Sequence, residues 1–254
     1  MVESPKSGAG KSKRKSSKKE RKWTVNIEEM TSIVASEVVS RAGLDYLGLK
    51  EAELRDVIEP IVASIVEARK TKPTAESIIK RIINSRQTLY KAIAAKLLER
   101  DTLSLEQLEF IVTYAPELAG RAAPKLYRIA KELNADYIVD TLRYLWQRYG
   151  TPTRVRCPYC GFDSVTPDLT CIVCGRSVEE RDLKEEIGFD RLLADLARSG
   201  HRDVVEEILR AGFAVYDGEI YPPSLRSRHP YGVILYLTRR EKMLLKSLLS
   251  REEE

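Results

Sequence analysis

The feature that most constrains this chain is one cluster of four cysteines, which are the only cysteines among its 254 residues. They form two Cys-x-x-Cys pairs, Cys157 with Cys160 and Cys171 with Cys174, separated by ten residues. Each pair predicts a tight turn that points two thiolates at one centre, and two such turns complete a tetrahedral shell of four sulfurs around Zn²⁺. Because a four-sulfur shell leaves no position for water or substrate, we expect one structural zinc ion rather than a catalytic one.

A glycine follows the second cysteine of each pair, at Gly161 and Gly175. A small residue at that position lets the backbone turn and direct N–H groups towards sulfur. Through CPYCG at 157–161 and CIVCG at 171–175, the segment resembles the zinc ribbon family. The resemblance covers about residues 154–178, implies a short hairpin held together by its metal, and does not extend to the rest of the chain.

Three other uses of the cysteines stay open: two disulfides, a four-thiolate iron site, and a redox Cys-x-x-Cys pair. No signal peptide is recognised at the start of the sequence, and four cysteines in 254 residues are not the dense pattern of a disulfide-stapled secreted domain. Redox motifs rarely come doubled at this spacing. These points favour structural zinc and a cytoplasmic protein. No apolar run approaches 18 residues, so no membrane segment is expected.

Positive charge is concentrated at the N-terminus. Residues 1–22 contain nine Lys or Arg against Glu3 and Glu20, a net charge of +7, which leaves −2 for the rest of a chain whose total is +5. Almost no apolar residue lies in this segment, so it is expected to be a disordered arm that neutralises phosphates without reading sequence. The candidate contacts are Lys13, Arg14, Lys15, Lys18 and Lys19. The alternative is a solubilising terminus that binds nothing specific.

Residues 23–150 are predicted to form a helical domain. Asn26 with Glu29, and Ser104 with Gln107, are spaced as helix-capping pairs. Thr74 is predicted to cap one long helix whose apolar stripe runs to Leu97. The predicted stripe comprises Ile79, Ile82, Ile83, Tyr90, Ile93, Ala94 and Leu97. The predicted fold class is therefore mainly α, with the ribbon at 151–178.

Residues 179–254 are predicted to form a small α+β unit. An acidic stretch at 179–186 is predicted to be a charged linker helix, and two short helices then precede a hairpin centred on Asp217 and Gly218. Helix, turn, helix, hairpin is the element order of a winged helix. The second of these helices, however, carries Glu206 and Glu207, which would face phosphates unfavourably. A last helix is predicted from the capping pair Thr238 and Glu241.

Further candidate nucleic-acid contacts lie on the ribbon and after the hairpin. The ribbon offers Arg154, Arg156 and Arg176, together with the aromatic rings of Tyr159 and Phe162. The segment 221–232 places Arg226 and Arg228 among tyrosines and prolines, a mixture that suits phosphate contacts and base stacking. A Pro-rich surface loop with incidental arginines is the alternative.

Catalysis has little support in the sequence. The only two histidines, His201 and His229, lie in no metal-ligand or nucleophile pattern, although a carboxylate-only active site would leave no readable trace. Small zinc-ribbon proteins are common in transcription, replication and translation machinery. The first hypothesis is therefore a non-enzymatic, zinc-stabilised protein associated with DNA or RNA. The alternatives are an interaction subunit of a larger protein complex and, last, a carboxylate enzyme. No small-molecule substrate is indicated. Scarce Asn and Gln, with charged residues at 32%, resemble the composition of hyperthermophile proteins.

Overall fold

A computed structural model describes residues 25–69, 71–210, 212–228 and 232–251, with backbone alone for 226–228. The fold is mainly helical, with a small antiparallel sheet near the C-terminus, as the sequence predicts. The basic segment 1–22 lies outside the described residues, so its predicted disorder and its phosphate contacts stay predictions. No described helix is both long enough and apolar enough to cross a lipid bilayer.

Eight helices precede the cysteines in the described part of the chain. They are α1 (Ile27–Ala42), α2 (Glu51–Glu67), α3 (Ala75–Asn84), α4 (Arg86–Leu97), α5 (Leu105–Tyr114), α6 (Pro116–Arg121), α7 (Ala123–Glu132) and α8 (Asp136–Tyr149). Both predicted capping pairs are confirmed. The Asn26 side chain accepts the N–H of Glu29, and Ser104 with Gln107 forms a reciprocal capping box.

The predicted single long helix from Thr74 to Leu97 is wrong, because the chain forms two helices that meet at Ser85. The backbone of Ser85 leaves helical geometry with φ −106° and ψ 41°, and its N–H is shared between the carbonyls of Arg81 and Ile82. The break changes the direction of the chain, so α3 packs on α1 while α4 packs on α2 and α5. Within the predicted stripe, Ile83 and Tyr90 are only half-buried as a result.

Helix α8 is the last element of this scaffold and lies close against α6. A Cβ atom at Gly120 would come within 2.5 Å of the carbonyl oxygen of Leu145 and 2.8 Å of Cβ of Tyr149. Only glycine therefore allows this approach of the two helices. Trp146 is 2% exposed on the inner face of α8, and it lies where the scaffold meets the cysteine segment.

The cysteine segment forms a small two-stranded structure. Strand β1 (Val155–Arg156) pairs antiparallel with β2 (Asp163–Val165), and isolated bridges join Val165 to Cys171 and Thr170 to Ser177. Helix α9 (Glu180–Glu186) follows and includes much of the acidic stretch, so the predicted helix there is confirmed. The four cysteines lie at the tips of the two turns beside this short hairpin.

The C-terminal part continues with α10 (Phe189–Arg198), α11 (Arg202–Arg210), β3 (Phe213–Tyr216), β4 (Glu219–Tyr221), β5 (Val233–Leu235) and α12 (Arg239–Ser250). The predicted hairpin turn is confirmed, since Asp217 and Gly218 both have positive φ, as a tight turn of this kind requires. Strand β3 lies between β4 and β5, and all pairs are antiparallel. The Thr238–Glu241 capping box is also confirmed.

Buried apolar side chains form one continuous cluster that runs from Val34 through the ribbon to Leu245. The predicted domain boundaries at 22, 150 and 178 stay predictions. The winged-helix interpretation also stays a prediction, and the acidic groups of α11 are already engaged: Glu206 pairs with Arg202 and Arg210, and Glu207 accepts from Ser224.

Candidate metal centre and its surface

The four predicted metal ligands come together at one point. The Sγ atoms of Cys157, Cys160, Cys171 and Cys174 all lie within 4.8 Å of one another. The Sγ atoms of Cys157 and Cys174 are 3.8 Å apart, and those of Cys160 and Cys171 are 3.6 Å apart. A tetrahedron with metal–sulfur bonds of about 2.3 Å has sulfur–sulfur edges of about 3.8 Å. The four cysteines could therefore coordinate one metal ion.

The two Cys-x-x-Cys turns repeat the same backbone hydrogen bonds. In the first, Cys157 N–H donates to the carbonyl of Phe162 and Gly161 N–H to that of Cys157; in the second, Cys171 N–H donates to Arg176 and Gly175 N–H to Cys171. Gly161 and Gly175 have φ of 74° and 71°, which side chains rarely adopt. The glycines thus close each turn. In the second turn, the sulfur of Cys171 also accepts a hydrogen bond from the N–H of Cys174 at 3.3 Å.

The environment of the thiols favours a bound cation. Burial raises the pKa of the Cys174 thiol to about 11. The pKa of Cys171 is lowered because the Cys157 and Cys160 thiols donate hydrogen bonds to its sulfur, and the hydroxyl of Ser164 also lies 3.0 Å from it. The protein alone therefore favours a thiolate at Cys171, whereas hydrogen bonds with Cys157 and Cys171 raise the pKa of the Cys160 thiol. Four thiolates at this spacing require a positive ion to offset their repulsion.

The geometry also bears on the open alternatives for the cysteines. A disulfide needs sulfurs about 2.05 Å apart, and all four cysteines are free in this structure. A four-thiolate shell accepts zinc or iron, so the geometry alone does not identify the metal. Cys157, Cys160 and Cys171 are buried and Cys174 is half-buried. A site so enclosed has no open coordination position for chemistry.

Helix α8 holds the ribbon in place through three side chains. Arg143 Nε donates to the carbonyl of Cys160 at 2.9 Å, Trp146 Nε1 donates to the carbonyl of Asp163 at 2.9 Å, and Gln147 Nε2 bonds the carboxylate of Asp163. A Cβ at Gly161 would lie 2.9 Å from Arg143 Nε, so the first turn packs directly on this guanidinium. The metal site is therefore attached to the scaffold and is not a free appendage.

Phe162 serves the core and not the surface. Its ring is 1% exposed and meets Tyr127 of α7 edge-on, with centroids 5.6 Å apart. The prediction that Phe162 is presented to nucleic acid is therefore wrong. A buried position just after the first turn needs an apolar ring to hold the ribbon against α7, which the local sequence pattern did not reveal.

The ribbon also contacts the C-terminal unit. Arg154 Nε donates to the hydroxyl of Tyr216 at 3.0 Å, and its guanidinium lies 3.8 Å from the carboxylate of Asp217 in the hairpin turn. Tyr159 donates to Asp182 of α9 at 2.5 Å. Arg154, predicted as a nucleic-acid contact, is thus engaged within the protein.

The remaining predicted contacts are distributed as follows. Arg156 is half exposed and lies 3.4 Å from Asp163, while the guanidinium of Arg176 lies over the ring of Tyr159 at 5.3 Å. The side chains of Arg226 and Arg228 lie outside the described part of the structure, as do Lys13, Arg14, Lys15, Lys18 and Lys19. Arg156 and Tyr159 line one concave surface beside the first cysteine turn, and Arg176 contacts the ring of that tyrosine.

The structure reveals a cationic surface that the sequence motifs did not indicate. A groove of about 740 Å³ lies between α7 and the second cysteine turn, and its cations are Lys125, Arg128, Lys131 and Arg176, with Glu132 beside them. We call these four cations the phosphate face. Among the described residues, Arg128 and Arg176 form no ion pair with a carboxylate, whereas Lys131 pairs with Asp136. Counting the net charge of each segment of the chain, and not only that of the N-terminal segment, would have indicated this cationic surface.

Among the described residues no arrangement suggests catalysis. His201 is exposed at the start of α11, and His229 lies outside the described residues. The remaining clusters of acidic groups are exposed or paired with cations. Comparison with models of protein families, with curated proteins and with solved structures gives no match for this chain.

Proposed function

We propose that this chain is a zinc-stabilised, non-enzymatic protein that binds the phosphate backbone of nucleic acid, DNA or RNA. The observation that carries the proposal is where the positive charge of the folded part lies. Residues 123–178, which comprise α7, α8 and the ribbon, hold eight Lys or Arg against five Asp or Glu, a net charge of +3. The segments 23–122 and 179–254 carry net charges of −2 and −3.

Zinc suits this centre better than iron or a redox pair. The shell is four-sulfur, buried and pre-shaped by two equivalent turns, and zinc has no redox chemistry that would need an exposed edge. The metal's role is to fold the ribbon, because two strands of two and three residues cannot hold a fold through apolar burial alone.

The phosphate face supplies the backbone contacts. Among the described residues, the guanidinium groups of Arg128 and Arg176 on this groove have no carboxylate partner, and a guanidinium binds a phosphate with two parallel hydrogen bonds. Lys125 and Lys131 add charge to the same groove. Such contacts position a nucleic acid without reading its sequence. The basic arm at 1–22 would add affinity of the same kind, and the interaction-subunit role stays a separate prediction.

The test is a salt series of binding with the zinc-loaded full chain. The variant R128A/R176A removes two cations of the phosphate face, and the control K80A/R191A removes two exposed cations elsewhere. Binding to labelled nucleic acid is measured by fluorescence anisotropy from about 50 to 200 mM salt. The first variant should lower the slope of log affinity against log salt by about 0.7–0.9 for each lost contact.

Equal slopes for the two double variants would contradict the phosphate face, since charge alone would then matter and not its position. A second chain lacking residues 1–22 separates the arm from the folded body. If deletion of residues 1–22 abolishes binding, the nucleic-acid contacts belong to the arm and not to the phosphate face. Metal analysis of the same samples should return one zinc per chain; one iron would overturn the zinc assignment.

A further inference from the structure

A second concave surface lies between α8 and the first cysteine turn, whereas the phosphate face lies between α7 and the second turn. This cleft has a volume of about 490 Å³, and we call it the tyrosine cleft. The side chains that matter for recognition are Arg143, Tyr144, Gln147, Arg156, Tyr159 and Glu186. It differs from the phosphate face because exposed aromatic rings, as well as cations, line it.

The two tyrosines are unusually exposed for residues of a cleft wall. Tyr144 is 58% exposed and Tyr159 is 43% exposed. Neither ring is needed to fill the core, and Trp146 and Phe162, which are needed, are buried beside them. An aromatic ring left in water at a cleft wall offers a flat apolar surface for a planar partner.

Each tyrosine is held by an arginine. Arg148 donates to the hydroxyl of Tyr144 at 3.2 Å, and the guanidinium of Arg176 lies over the ring of Tyr159. Tyr159 is fixed further by its hydrogen bond to Asp182. Rings that are already oriented lose little conformational entropy when a partner stacks on them.

Acidic side chains lie on one side of the tyrosine cleft, where they disfavour a phosphate backbone. Glu186 stands at the rim of the cleft, and the adjoining depression carries Glu179, Asp182 and Glu185 with Arg181. Phosphates are repelled from that side and attracted to Arg156 and Arg148. Arg176 belongs to the phosphate face and also covers Tyr159, so it links the two surfaces across the metal site.

From these observations we infer that the tyrosine cleft binds unpaired bases, so the nucleic acid held by this protein is single-stranded. The inference rests on the proposed function, because the phosphate face must hold the same strand. In a duplex the flat faces of the bases are stacked on one another and cannot reach a tyrosine. A duplex reader would instead present a convex helix or ribbon to a groove, whereas this surface is concave.

The test compares one labelled 20-nucleotide sequence as single strand and as duplex, using the zinc-loaded full chain. We expect the single strand to bind at least tenfold tighter than the duplex. Y144A should weaken single-strand binding about 5- to 150-fold, the range for loss of one stacked base, and leave duplex binding unchanged. Y144F keeps the ring but loses the hydrogen bond from Arg148, so its affinity should lie between those of the wild type and Y144A, closer to the wild type. Y236A removes a tyrosine of equal exposure on the C-terminal unit and serves as the matched control.

A second measurement locates the bases. Ultraviolet crosslinking of a bromouridine-containing strand, followed by tryptic mapping, should label the peptides 144–148 and 157–176, which carry Tyr144 and Tyr159. Equal affinity for single strand and duplex, with Y144A unchanged, would overturn the inference while leaving the phosphate face intact. Loss of duplex and single-strand binding together in R128A/R176A would still support that face. No binding of either nucleic acid would overturn both proposals.

Discussion

The helical scaffold and the ribbon maintain their folds by different means. Each helix from α1 to α8 contributes at least one side chain with no exposed surface, such as Val34 in α1 or Leu142 in α8. The ribbon has only a few buried apolar residues on strands of two and three residues, and its two turns meet at four sulfurs. Burial of apolar surface offsets chain entropy in the scaffold, and we expect coordination of a metal to do so in the ribbon.

The comparison predicts that metal loss unfolds one region and spares the other. C157S, or treatment with a metal chelator, should unfold the ribbon, because metal binding supplies about 10–16 kcal/mol in small zinc-folded units. Helical circular dichroism should fall little, since α1–α8 do not depend on the metal. Hydrogen exchange should show lost protection over residues 153–178.

S177A changes an exposed residue of the same segment and serves as the control, which should leave the ribbon folded. Loss of most helical signal in C157S would mean that the scaffold also depends on the metal, and the contrast between the two regions would then fail.

The second prediction concerns the joint between the regions, where Trp146 is buried and donates to Asp163. W146F removes this hydrogen bond, leaves the N–H of Thr153 as the remaining partner of the Asp163 carbonyl, and opens a small cavity. We expect a loss of about 1–3 kcal/mol in the free energy of unfolding of the metal-loaded chain. I93V, which trims a fully buried residue far from the ribbon, should cost about 0.5–1.5 kcal/mol. Denaturant titration measures the loss of stability in each variant. Equal losses in W146F and I93V would show that the contact between Trp146 and the ribbon does not contribute more than an ordinary core residue.

The third prediction sharpens the description of the scaffold, where one ion pair is partly shielded from water. Arg100 donates two hydrogen bonds to Glu53 and lowers the pKa of that carboxyl to about 2. A carboxyl with a lowered folded-state pKa stabilises the fold above its unfolded value, near 4.5, and the contribution disappears as pH falls towards 2. E53Q should therefore cost about 1–2 kcal/mol at pH 7.

The difference between E53Q and the wild type should shrink as the pH falls from about 5 to 2. Both proteins lose metal in acid, so comparing their melting temperatures at each pH isolates the carboxylate. A difference that stays constant down to pH 2 would be incompatible with this assignment. E51Q, whose pair with Arg55 is exposed, should show almost no difference at any pH.

Local chemistry explains what the sequence could predict. Capping at Asn26, Ser104 and Thr238, the Asp217–Gly218 turn and the convergence of the cysteines each depend on residues close together in the chain. The turn at Ser85 was missed because it is set by which neighbours α3 and α4 pack against, and helical periodicity continues across it.

The surface of the site was predicted less well for the same reason. Phe162 and Arg154 were assigned to a surface role, but one packs on Tyr127 and the other bonds Tyr216, which lies 62 residues further along the chain. The phosphate face combines a helix and a turn some 45 residues apart, and the tyrosine cleft joins α8 to the first turn. Such surfaces exist only after tertiary folding, so motif reading named Arg176 and Tyr159 but not Arg128 or Tyr144.

The ribbon contacts both of its neighbours, α8 through Arg143 and the C-terminal hairpin through Arg154. Melting the ribbon would therefore release two structured regions from each other at once. The supply of metal would then control how freely these regions move relative to one another. Because the phosphate face and the tyrosine cleft each include one of the cysteine turns, it would also control whether either surface is formed at all.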